Sequence, residues 1–366
     1  MNIYIIDLES VPTRYTCEWK THVPKLFEAY AQQIGRTDVK VINISGGEEQ
    51  LKATPGAFLN FAQTNIYKNN QLSQIARLFS EEKIKPGDQF IFTDAWNPAV
   101  IQLKYMSELL GIPVVTHGLW HAGSYDQQDF LGRLVGDKPW VRHAERSFFH
   151  CFDHNHFATD FHIELFVREL LGKGQKRIEK HIDSEKIVLT GWPMEYMTGT
   201  LSQYKGLTKR DLILFPHRMA PEKQPGRFRE LAAMLPQYEW IICQEQELTK
   251  TEYHRLLGES KMVLSLNLQE TLGISCFEGA IVDSLPIVPD RLSYREMYDH
   301  TWKYPSEWSD QDWERGGKEK LVQHIHQYME NYNQYAEEVI LLAQELQRDF
   351  FSATTLLDTV FAYDTN

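Results

Sequence analysis

Two short segments in the second half of the chain carry basic and acidic side chains at spacings suited to holding a ligand from both ends. The first is Phe215-Pro-His217-Arg218-Met-Ala-Pro-Glu-Lys223 and the second Glu270-Thr271-Leu272-Gly273-Ile-Ser-Cys-Phe-Glu278. Arg218 offers a planar fork for diphosphate oxygens and Lys223 a compact point charge, so the pair can neutralise a diphosphate without a metal. Both follow the apolar run Leu212 to Phe215, which reads as a parallel strand, and a loop leaving such a strand lies where open α/β sheets bind ligands. One Arg and one Lys alone would suit a solvated loop as well. The second segment shifts that balance. Glu270 and Glu278 are just over two turns apart at ~3.6 residues per turn, able to project toward one side. Gly273 lets backbone approach a ligand, and a helix starting there favours anions.

The elements that must position these segments read as short apolar runs alternating with amphipathic stretches, the pattern of parallel strands joined by helices. In the first half strands are predicted near residues 2 to 7, 39 to 44, 89 to 93, 113 to 117, 148 to 152 and 186 to 189. A second series falls at 212 to 215, 239 to 242, 261 to 265 and 285 to 288. The stretch Thr190 to Lys209, with four glycine or proline residues among its breakers, reads as the connection, and after Gly317 the chain is helical to near Phe361. A chain of 366 residues exceeds the ~250 to 300 at which single cores stop growing, in keeping with two domains.

With those elements in place the two segments resemble the retaining glycosyltransferases of the GT-B fold, the family 4 and family 1 type group with a Glu-x7-Glu motif. Members carry Gly-Arg-Leu-x-Pro-Glu-Lys-Gly, then Glu-Gly-Phe-Gly-x4-Glu-Ala-x3-Gly-x-Pro-Val-Val. Here these are His217 to Gln224 and Glu270 to Gly279, running on to Ser284-Leu285-Pro286-Ile287-Val288. The resemblance implies an α/β, GT-B fold: two Rossmann-like doubly wound parallel-sheet domains facing a cleft, with a C-terminal helix crossing back to the first. The expected boundaries are 1–190 for acceptor binding, 191–345 for donor binding and 346–366 for the returning helix. It implies that Arg218 and Lys223 hold the diphosphate of a nucleotide sugar (UDP-sugar favoured), that Glu270 contacts sugar hydroxyls, and that Glu278 bonds the ribose, with Thr271, Leu272 and Gly273 completing the donor loop. Departures stand at Gln224 and Ser284, where glycine is usual, and at Thr271 and Leu272 in place of Gly-Phe.

In such folds a histidine following a first-domain strand commonly lies beside the reacting sugar. The run Gly111 to His121 fits that position, with His117 as the residue delivered into the loop and a structural histidine as the alternative. Trp120, Asp153, His154 and Arg14 are the further acceptor-side candidates. The cluster His150, Asp153, His154 and His156 has metal-ligand types, but irregular spacing and no cysteine pair, so no metal and no cofactor are expected. Retention in this class is explained by same-face attack, which needs no enzymic nucleophile.

The acceptor is less constrained. The first strand runs into Asp7-Leu-Glu-Ser-Val-Pro-Thr-Arg14 without a glycine-rich loop, and the chain is rich in Asn, Gln, Tyr and His. In this it resembles phage-encoded transferases that glycosylate hydroxymethylated bases in DNA. Basic residues gather at Arg133, Lys138, Arg142, His143 and Arg146 around Trp140, and again at Lys173, Lys176, Arg177 and Lys180, suiting nucleic-acid phosphates or, equally, a solvated helix face. DNA is the leading acceptor, with a saccharide or cell-surface glycan as the alternative. A scaffold that binds a nucleotide sugar without transferring it is the reading from another class; all four charged motif residues are present, which disfavours it. Net charge is −12, concentrated in the second half, so local patches rather than the total set such contacts. Four scattered cysteines read as reduced thiols. The opening residues lack a basic n-region, and no apolar run approaches the ~18 residues of a span, so a cytoplasmic protein is expected.

Overall fold

A computed structural model describes residues 1–9, 15–47, 60–172 and 186–362. These residues divide into two compact units, Met1–Pro193 with Ala353–Asn366, and Met194–Ser352. The first contains β1 (Asn2–Ile6), α1 (Tyr15–Gln33), β2 (Lys40–Ile44), α2 (Phe61–Ser80), β3 (Gln89–Phe92), α3 (Ala99–Leu109), β4 (Val115–Leu119), α4 (Phe130–Val135), α5 (Pro139–Cys151), β5 (His154–Phe157), α6 (Asp160–Phe166) and β6 (Ile187–Leu189). The second contains α7 (Tyr196–Leu201), β7 (Arg210–Phe215), α8 (Pro225–Met234), β8 (Glu239–Ile242), α9 (Lys250–Glu259), β9 (Ser260–Leu264), α10 (Ile274–Ile281), β10 (Leu285–Pro289), α11 (Tyr294–Met297), β11 (Lys303–Tyr304), α12 (Gly317–Glu330) and α13 (Tyr332–Asp349). The last helix, α14 (Thr354–Phe361), belongs to the first unit, where Phe361 packs on Phe27 and Tyr30 of α1.

Both sheets are parallel throughout. The first has the order β2-β1-β3-β4-β5-β6, the second β11-β10-β9-β7-β8. In each, the chain leaves its first strand in one direction and returns on the other side. The order therefore reverses between β1 and β3, and between β7 and β9, the crevice at which open α/β sheets bind ligands. Strands buried on both faces read as near-continuous apolar runs, as Leu212 to Phe215 and Met262 to Leu264 do.

Two predicted strands need correction. Residues 148–152 are the end of α5 and the residue capping it; the strand is β5, His-Asn-His-Phe, all four buried. Phe148 and Phe149 resemble a strand only because a helix also buries neighbouring apolar residues when it ends against a sheet. Gly118 permits that packing: a Cβ there would stand 2.6 Å from the Phe152 ring. The predicted strand at 113–117 runs two residues later, as β4, with consequences for His117.

Candidate functional site

The two charged segments leave adjacent parallel strands. Residues 216–224 follow β7 and residues 265–273 follow β9, so both loops emerge at the carboxyl edge on either side of the point where strand order reverses. Lys223, almost fully buried, sets its Nζ 3.1 Å from Glu270 Oε2 and also donates to the Gln269 carbonyl. Glu270 Oε1 accepts from the Thr271 N–H at 3.1 Å and Oε2 from Asn267 Nδ2 at 3.1 Å. Burial pushes this carboxyl up, but the charges of Lys223 and then His217, with hydrogen bonds from Lys223 and the Gly273 backbone, outweigh it and hold it down at about 2. Arg218 directs Nε and Nη2 to Glu222 Oε1 at 2.9 and 2.5 Å while staying partly exposed.

Glu270 lies in the loop before α10, not on the helix with Glu278, so the two-turn spacing is not what relates them. The helix begins after Gly273, whose φ of +72° and crowding against Tyr294, where a Cβ would stand 2.6 Å from a ring carbon, both require glycine. Glu278, on α10, accepts from Tyr253 Oη at 2.7 Å, with His254 Nε2 4.0 Å away. Leu272 has its side chain in the core, and Thr271 is buried.

Several residues that sequence reasoning did not place hold this loop. Arg291, buried, donates Nε to Asn267 O at 2.7 Å and Nη2 to Leu266 O at 2.9 Å, with further bonds to Ser306 O and Ser309 Oγ. Gln224 adopts φ +58° and donates Nε2 to Leu266 O at 2.5 Å and Ser309 O at 3.1 Å. Where relatives are expected to carry glycine, this side chain therefore takes on a bracing role. Ser284, the other such departure, is buried and bonds Ser260 and Leu257. His217 places Nδ1 3.4 Å from both Asn267 Nδ2 and Ser275 Oγ, and burial, then Lys223, pushes its pKa down to about 3. It is neutral at pH 7. His217, Gln224 and Ser284 lie within the two sequence segments, whereas Arg291 lies outside both.

The first-unit candidates fare differently. His117 is corrected to a core histidine: it lies in mid-strand, fully buried, with Nε2 2.8 Å from Gln89 Oε1 and Nδ1 3.1 Å from His156 Nε2. Trp120 is likewise fully buried, donating Nε1 to Asn155 at 2.8 Å, so it presents no acceptor surface. His154 is buried in β5 with its ring stacked 4.8 Å from that of His117. Asp153 precedes β5, at the amino edge of the sheet, opposite to where ligands bind; it accepts from Thr116 and pairs with Lys104 at 3.3 Å. Arg14 and the basic group at 173–180 lie outside the described residues. Among the described residues no group of three His, Cys, Asp or Glu side chains could hold a metal, and no helix is long and apolar enough to cross a membrane.

The histidine that does leave β4 is His121. Tyr15 Oη donates to its Nδ1 at 2.6 Å, its Nε2 lies 2.6 Å from Thr93 O, and the Trp192 ring packs at 4.4 Å. It stands at the carboxyl edge of the sheet, partly exposed. Nearby, Asp7 at the end of β1 is buried among Tyr67, Gln71 and Asn43, which donate to its carboxylate; burial nonetheless raises its pKa.

No protein-family model matches the chain, and no curated protein matches it in sequence. Solved structures share its fold. A glycosyltransferase from Rickettsia africae ESF-5 has a TM-score of 0.57 at 11% identity over 100% of this chain and 99% of that one. Sucrose-phosphate synthase from Thermosynechococcus elongatus has 0.59 at 10% over 98% and 96%. The catalytic domain of starch synthase IV from Arabidopsis thaliana has 0.58 at 11% over 99% and 98%. TarM has 0.51 at 14% over 81% of this chain, which spans 59% of TarM's own length. The fold is thus α/β with two parallel sheets, of the kind seen in solved GT-B glycosyltransferases.

Proposed function

We propose that this protein is a glycosyltransferase that uses a nucleotide-diphosphate sugar, UDP-linked by preference, and retains the configuration at the transferred carbon. The observation that carries the reading is the convergence of Arg218, Lys223, Glu270 and the Gly273 start of α10 at the carboxyl edge between β7 and β9. A diphosphate there takes charge-assisted bonds from Lys223 and the free side of the Arg218 fork, with the helix start as a further anion site. Glu270, ionised at every working pH, accepts from sugar hydroxyls, and Glu278 from the ribose. The anomeric bond to the diphosphate breaks, the acceptor oxygen attacks on the same face, and a diphosphate oxygen takes its proton. Support comes also from shared folds: the starch synthase IV structure is bound to ADP and acarbose, and that of the pneumococcal O-GlcNAc transferase GtfA, at a TM-score of 0.51 and 13% identity, is in complex with UDP and GlcNAc.

For the acceptor, one observation favours a saccharide over a hydroxymethylated base in DNA. Arg133, Arg142 and Arg146 donate to carbonyls of Gln128, Gly136, Glu169 and Leu170, so each guanidinium is already partly engaged within the chain, leaving fewer N–H groups for phosphates. The test is a panel of nucleotide sugars offered with oligosaccharides and with duplex DNA containing hydroxymethylated bases, scored by mass. A hexose or pentose gain on the oligosaccharide supports the saccharide reading and a gain on the nucleoside the DNA reading. Neither transfer nor slow donor hydrolysis with any donor would leave a non-catalytic binding protein.

A further inference from the structure

Helix α3 presents an apolar stripe to solvent. Ile101, Tyr105 and Leu109, spaced i, i+4 and i+8, are 40%, 65% and 68% exposed, whereas Val100, Leu103 and Ser107 on the opposite face are buried. At ~3.6 residues per turn the three outward side chains fall within an arc of about 80°. Leu110, which caps the helix, is 57% exposed. Singly exposed apolar residues are ordinary, but a contiguous row of them marks an interaction surface.

The charges beside the stripe indicate what covers it. Lys104 and Glu108 flank the same side one turn apart. Lys104 reaches Asp153 at 3.3 Å and remains partly exposed, while Glu108 is exposed and has no ion pair among the described residues. In an antiparallel pair of helices, flanks of the same side meet. A second copy related by a two-fold axis at Tyr105 therefore sets Tyr105 against the partner's Tyr105 once, on the axis, and Ile101 against the partner's Leu109 and Lys104 against the partner's Glu108 twice each. The pattern is self-complementary. An anionic membrane surface is a poorer match, because Glu108 would face it and the single flanking lysine is offset.

We propose that α3 is a homodimer interface, closed by the Ile101, Tyr105 and Leu109 stripe and registered by the Lys104 and Glu108 pairs. Sedimentation velocity of the full chain over about 1 to 100 µM is expected to show a monomer and dimer in equilibrium. Tyr105→Glu, placing two like charges at the axis, raises the dissociation constant more than about 100-fold. Glu108→Lys leaves the Asp153 contact intact, opposes lysine to lysine, and weakens the dimer about tenfold. Adding Lys104→Glu to Glu108→Lys restores opposite charges and recovers most of that loss, which a merely structural change would not do. All three positions reach solvent, and circular dichroism of each variant checks the fold. A wild-type chain that stays monomeric overturns the proposal, as does a dimer indifferent to Tyr105→Glu, or a double swap as weak as Glu108→Lys alone. A monomer whose stripe variants lose binding to phosphatidylglycerol vesicles overturns it in favour of a membrane surface.

Discussion

Replacing Lys223 with Met removes the cation beside Glu270 while keeping most of its volume, and the consequence follows from the carboxylate's surroundings. Glu270 is held at about 2 against an ordinary 4.5. At about 1.4 kcal/mol per pH unit, that difference stabilises the native state by about 3 kcal/mol at neutral pH. Because the folded value is the lower one, the contribution is complete above pH 4.5 and is lost as pH falls through about 2. Without Lys223, burial is opposed only by the smaller lowering effects of His217 and the Gly273 backbone N–H, and the carboxyl rises. The variant should be less stable by about 3 kcal/mol at pH 7, near the low end of the cost of breaking a buried pair. Below the raised pKa the variant's Glu270 is already protonated, so the gap to wild type should shrink by up to about 1.4 kcal/mol per unit as pH falls. Urea unfolding of both proteins at several pH values between 7 and 5 measures this. Equal stability at pH 7, or a gap that does not change with pH, would show that Lys223 is not the group holding Glu270 ionised.

Three further perturbations test the surroundings of the site. Gly273→Ala meets both a φ of +72° and the Tyr294 ring, so it should cost more than about 1 kcal/mol and weaken nucleotide binding by calorimetry. Arg291→Met strips the Asn267 carbonyl of its Arg291 donor and leaves Leu266 O with Gln224 Nε2, and should destabilise by about 1 to 3 kcal/mol, with Arg291→Lys recovering part, read by thermal melting. His156, His162 and His217 are each pushed down to about 3 by burial first, so they take up protons on unfolding. Stability should be full above pH 6.5 and fall below it toward pH 3, by up to about 4 kcal/mol per unit for the three together. Unfolding free energies at pH 7 and pH 5.5 that agree would contradict this.

The second unit was the more legible in sequence because its central strands carry buried apolar runs, Leu212 to Phe215 and Met262 to Leu264, and its ligand loops follow them directly. The turn after β7 and the glycine before α10 are local features, so Arg218, Lys223 and Gly273 fall where spacing put them. The bracing by Arg291 and Gln224 was not legible, since it depends on carbonyls brought close only by the sheet. In the first unit a two-residue error in β4 was enough to turn a core histidine into an apparent site residue and to pass over His121. The strand His154–Phe157 was hidden for a different reason. Polar side chains in it are buried with partners on neighbouring elements, as Asn155 has in Trp120 and His156 in His117, and a reading by hydropathy expects such residues outside.

Binding of a nucleotide sugar's diphosphate in the crevice between β7 and β9 is measured by isothermal titration of UDP and of a UDP-sugar into wild type, Arg218→Ala and Lys223→Ala. Wild type should bind at least one of them, and each substitution should weaken binding by ~1.5 to 3 kcal/mol, about ten- to a hundredfold. Binding that is unchanged in both variants would place the nucleotide elsewhere and contradict the assignment.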